Sequence, residues 1–104
     1  MDAIERIREM EEILQGAKPV LARLDAALED YAALWDRLRA LDRYYGGEDW
    51  RADLAMDEAG QLPRSLRRGV LSEDEVYDLL GDEQRIRERM RELVVTDTEK
   101  EEQT

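Results

Sequence analysis

Asp49, Asp53 and Asp57 recur at four-residue intervals, with Glu48 and Glu58 beside them. On a helix this spacing lines three carboxylates along one face. Such a row supplies hard oxygen donors of the kind that calcium and magnesium take. Two carboxylates near Tyr44, Tyr45 and Trp50 also have the composition of a glycoside-cleaving acid/base pair. Arg64, Arg67 and Arg68 follow, and clustered guanidinium groups bind phosphates or acidic peptides.

Each of these chemistries meets an objection in the residues themselves. A hard cation needs ligands that converge from several directions, which one helix face does not provide alone. A calcium loop started at Asp42 would place Tyr44 and Gly46 where side-chain oxygens are required. Nothing in the spacing sets the separation of a catalytic carboxylate pair. The expected partners of the acidic row are therefore Arg64, Arg67 and Arg68, folded back onto it as exposed ion pairs worth about 0–1 kcal/mol each. Asp49, Asp53 and Asp57 stay weak metal candidates, and no cofactor or small-molecule ligand is expected.

The chain has no histidine and no cysteine. That removes imidazole bases, thiolate nucleophiles, Cys/His zinc sites and disulfides together. Lysine occurs only at Lys18 and Lys100, and no phosphate-binding loop is present. A non-enzyme is the expectation. The net charge of −11 repels nucleic-acid phosphates and attracts basic protein surfaces. The first residues, MDAIERIREMEEIL, mix charged and apolar residues and do not form a signal peptide. No apolar run approaches the roughly 18 residues of a membrane span. A cytoplasmic protein without membrane or nucleic-acid partners is the default.

These residues must be positioned by helices. Ile7, Leu14, Leu21, Leu28 and Trp35 stand seven apart; Met10, Ala17, Leu24, Tyr31, Leu38 and Tyr45 form a second seam. Ile13, Val20, Ala27, Leu34 and Leu41 widen the stripe to three positions, the pattern of a helix in a bundle. The spacing predicts a helix over about 3–45. QGAKP at 15–19 interrupts it with either a kink or a hairpin loop, the in-phase seam leaning toward a kink. Unbroken, that helix would be roughly 64 Å long at 1.5 Å per residue. A compact domain of this size spans roughly 35 Å, so either later helices run back along it or a second copy covers the overhang.

Gly46 and Gly47 end that helix, and a short one follows at about 48–59, stopped by Gly60. A helical turn is expected at 64–68. In LSEDEV, Ser72 and Glu75 have the spacing of a capping box, flanked by Leu71 and Val76 as a hydrophobic staple. Helices at about 73–80 and 82–95 should follow, broken at Gly81-Asp82. The apolar-free residues 96–104 read as a disordered acidic tail. Residues 1–95 then form one all-α domain: a long kinked N-terminal helix packed against several shorter helices, as a bundle or antiparallel hairpin. Trp35, Tyr44, Tyr45 and Trp50 are expected to fill its corner, with Tyr and Trp polar atoms paired at the rim.

The segments YYG-x-EDW, DEAG-x-LP and LRRGVLSEDEVYDLL, between Tyr44 and Leu80, resemble an uncharacterised bacterial family, domain of unknown function 4298. Leu54 and Arg68 depart from its pattern, where tyrosine and lysine are expected. The resemblance implies a small helical protein and supplies no activity or cofactor. From the residues, the expected function is a protein–protein interaction module that forms a homo-oligomer, a dimer, through its heptad helix. An acidic inhibitor or adaptor that captures a basic protein is the alternative, and a carboxylate-based metal protein or enzyme stands third.

Overall fold

The computed structural model describes residues 2–102, with side chains through residue 96. Within that range the chain is all-α: α1 (Ala3–Tyr44), α2 (Glu48–Glu58), a 3-10 turn (Gly69–Leu71) and α3 (Glu73–Glu102). It divides into two compact units, Met1–Ala40 and Leu41–Thr104.

The first unit is the body of α1. Asp2 starts the helix by accepting the Glu5 N–H through Oδ1 at 2.8 Å, a side-chain N-cap. The helix then runs through Pro19 without a loop, so the hairpin alternative at 15–19 does not occur. Proline forfeits one hydrogen bond and costs about 3 kcal/mol. Breaking the helix would orphan four N–H and four C=O groups at the new ends. Continuity is therefore the cheaper outcome on an exposed rod where water reaches the Gln15 carbonyl. No residue of α1 is buried, and Ile7, Leu14, Leu21, Leu28 and Trp35 are all exposed. The helical interval is present, and the burial expected along it is not.

The second unit begins with the last residues of α1, from Leu41, and turns at Tyr45 and Gly46. Gly46 has φ +75°, a left-handed conformation that glycine adopts without a Cβ penalty. The Gly47 N–H then donates to the Tyr44 carbonyl at 3.0 Å. Gly47 is the N-cap of α2 in extended backbone, without a side-chain cap. Glu48 and Asp49 therefore aid the first turn through the helix dipole and not as caps. At the other end, Gln61 N–H donates to Met56 O and Gly60 N–H to Asp57 O, both at 3.0 Å, with Gly60 at φ +70°. Those two bonds are a complete Schellman closure.

Three expectations for the rest of the chain are corrected. The helical turn lies at Gly69–Leu71 and not at 64–68, where Leu66 N–H closes a turn on Pro63 O at 3.1 Å. Arg68, at φ −134° and ψ 32°, is non-helical, so helical geometry begins only after it. The capping box does not form as drawn, because the preceding turn takes the Ser72 N–H: it donates to Gly69 O at 3.0 Å. The Glu75 carboxylate instead folds over Gly69, where a Cβ would stand 2.6 Å from Oε2. Finally, α3 passes through Gly81 and Asp82 and on to Glu102, so neither the break nor the tail begins where expected. One glycine costs a helix only about 1 kcal/mol, and flanks this long absorb it. Residues 103 and 104 of the expected tail lie outside the described residues.

The core of the described chain is Trp50, Leu71 and Val76, at 9%, 8% and 4% exposure. Leu71 and Val76 are the staple positions around the α3 start. Trp50→Ala is expected to cost about 3–5 kcal/mol in urea unfolding. Gly81→Ala should raise stability by about 1 kcal/mol, since a methyl there meets nothing within 4 Å. A loss of stability in that variant would contradict the continuous helix.

Candidate functional site

The residues whose chemistry the sequence singles out gather around α2. Gly46 reverses the chain so that Tyr44 and Tyr45, at the end of α1, meet residues further along. Tyr44 Oη donates to Asp53 Oδ2 at 2.7 Å, and Tyr45 Oη donates to the Glu73 carbonyl at 2.7 Å. The Tyr45 ring stands edge-on to the Trp50 indole, centroids 5.6 Å apart and planes at 71°. Trp50 Nε1 donates to the Val70 carbonyl at 2.8 Å. Trp50 thus buries its ring, the two tyrosines are half-buried, and all three pair their polar atoms.

Trp35, expected in this corner, stands in the first unit, 46% exposed, with the Arg39 guanidinium 4.5 Å from its ring centroid.

The carboxylate row is divided among partners. Asp53 receives Tyr44, and Asp57 pairs with Arg68, whose second guanidinium nitrogen reaches the Pro63 carbonyl at 3.1 Å. Among the described residues no three acidic side chains converge in a metal-binding group. Of the three arginines expected to fold back, Arg68 does so; Arg64 and Arg67 are exposed.

The hydrogen bond to Asp53, then burial, then the negative charges of Asp53 and Asp49 push the Tyr44 hydroxyl from 10.0 up to about 12. A tyrosine held that firmly in its protonated form is a hydrogen-bond donor at neutral pH and a poor base or nucleophile. The cluster can therefore clamp α2 by donation, and Asp53 and Asp57 are committed to that clamp. Two of its acceptors, the Val70 and Glu73 carbonyls, escaped sequence reasoning. Backbone acceptors carry no residue-type signal, although the Leu71/Val76 staple pointed to the right segment.

Tyr44 also ties stability to alkaline pH. The folded state favours its protonated form, so its contribution is complete below pH 10 and is lost as pH rises from 10 through about 12. Tyr44→Phe should flatten that part of the stability curve. Absorbance titration of the phenolate should find one hydroxyl with a midpoint near 12. Asp53→Asn should move this midpoint back toward 10; an unmoved midpoint would show that the carboxylate is not its cause.

No helix among the described residues is long and apolar enough to cross a membrane. No curated protein and no solved structure matches the chain. A family model does match, over residues 7–93, which takes in most of α1, all of α2, the 3-10 turn and α3 as far as Leu93. The chain belongs to the family described as Domain of unknown function (DUF4298).

Proposed function

We propose that this chain is a non-enzymatic, cytoplasmic protein–protein interaction module that self-associates through the apolar stripe of α1. One observation carries the reading: Ile7, Met10, Leu14, Leu21, Leu24 and Leu28 are each 42–62% exposed along one helix. Soluble monomers rarely leave contiguous apolar patches beyond a few hundred Å² open to water. A heptad stripe is also self-complementary, because knobs and holes recur at one spacing. The division of Asp53 and Asp57 between Tyr44 and Arg68 supports the non-enzymatic half of the reading, as does the missing imidazole and thiol chemistry.

Capture of a basic protein by an acidic surface is the charge-driven alternative, motivated by the net charge of −11. Salt separates the two. Apolar association survives high ionic strength, whereas attraction between exposed charges is screened within about 10 Å at 0.1 M.

Sedimentation at micromolar concentration should find a dimer that persists in 0.5 M salt. Leu21→Glu with Leu28→Glu should weaken it at least about tenfold, equivalent to about 1.4 kcal/mol, while circular dichroism stays helical. A wild-type chain that sediments as a monomer would remove the self-association claim.

A further inference from the structure

We propose that a groove in the second unit receives an arginine side chain of a basic partner protein, its guanidinium held between the Tyr77 ring and the carboxylates of Asp42 and Asp78. The inference rests on the charge-driven alternative above and not on self-association. The groove has a volume of about 680 Å³ and is lined by residues from the last turn of α1 and from α3. Ligand sites commonly measure about 300–1,000 Å³. Tyr45 forms a fixed wall: its hydroxyl donates to the Glu73 carbonyl at 2.7 Å and its ring abuts Trp50, so this side is in place before a ligand arrives. On α3, Tyr77 and Gly81 stand four residues apart, as do Asp78 and Asp82, and the four share one side of the helix. Gly81 leaves a gap in that side, where an added Cβ would meet nothing within 4 Å.

The groups in this groove are available, unlike those around α2. Tyr44 and Tyr45 are half-buried with their hydroxyls bonded, whereas Tyr77 is 69% exposed and its hydroxyl makes no hydrogen bond among the described residues. Asp42 and Asp78 are exposed and belong to no ion pair among the described residues. Arg85, the cation of the lining, is already paired with Asp82 at 3.0 Å. Arg43, beside Asp42 in sequence, does not line the groove. The lining therefore sets three carboxylates against one guanidinium, with an open aromatic face among them.

An aromatic face beside unpaired carboxylates is the chemistry that recognises a cation. Among the described residues no three acidic side chains converge as ligands for a metal ion, so the negative charge is spread along the groove. That spread suits an extended organic cation. A guanidinium is planar and carries several donors in a fixed fork, so it can stack on a ring while its N–H groups donate to carboxylates; lysine brings a point charge without the plane. The arginine stem is apolar and lies along the gap at Gly81 while its head stays at the charged rim.

The probe is a short peptide of alternating glycine and arginine, titrated into the full chain at about 0.1 M salt and followed by amide chemical shifts. The largest shifts should fall at Tyr45, Tyr77 and Gly81. Tyr77→Ala should weaken binding about two- to fivefold, the worth of an exposed cation–π contact. Asp78→Asn should weaken it by a similar factor. Glu92→Gln removes the same charge ten residues beyond Asp82 on α3, roughly 15 Å along the helix, and should leave binding unchanged. Gly81→Leu should fill the groove, so that binding is lost while the melting temperature rises; a structural lesion would lower both. Shifts spread over the whole surface, with Glu92→Gln as damaging as Asp78→Asn, would overturn the groove and leave diffuse acidic attraction standing. A peptide that does not bind at all would remove the charge-driven reading with it.

Discussion

The indole of Trp50 is the tie on which the second unit depends. Its ring is the largest buried surface among the described residues, and its N–H ends on the carbonyl of Val70, twenty residues along the chain. That bond fixes the 3-10 turn, and the turn presents Leu71 to Val76 across the start of α3. Removing the ring would therefore loosen a turn, a staple and a helix start together. Only Leu71 and Val76 join it in the core of the described residues, so buried apolar material for a second anchor is scarce.

The same scarcity explains the polar architecture around α2. A small core cannot hold a helix by burial alone, so hydroxyl, indole and guanidinium donors complete the attachment. Tyr44 reaches Asp53, Tyr45 reaches the Glu73 carbonyl, and Arg68 bridges Asp57 to the Pro63 carbonyl. Asp53, Asp57 and Arg68, three of the charged groups that look like chemistry in the sequence, are thereby committed to geometry.

Local signals were the most legible. The α1 periodicity, the glycines at 46 and 60, and the staple at Leu71 and Val76 each depend on neighbours within a turn or two, and each reads directly from residue types. The readings that failed weighed a local breaker against a long element. Gly81 looks like a stop in isolation, yet it costs less than the two new helix ends it would create; Pro19 obeys the same arithmetic in the helix expected to continue through it. The site was half legible: the rings and acids could be placed in one neighbourhood, but not the backbone carbonyls that receive them.

The clip between Asp57 and Arg68 has a consequence for the history of the chain. The residues it encloses run from a closed helix end to a held guanidinium, and beyond that the Trp50 tie grips Val70. The arc from Gln61 to Arg67 is thus anchored at both feet, and nearly all of it faces water. Extra residues inserted there would lengthen a surface loop without moving its supports, and the entropy of closing a loop grows only slowly with its length. This arc is where the fold can accept a grafted segment, or a new pair of termini, and still close its corner.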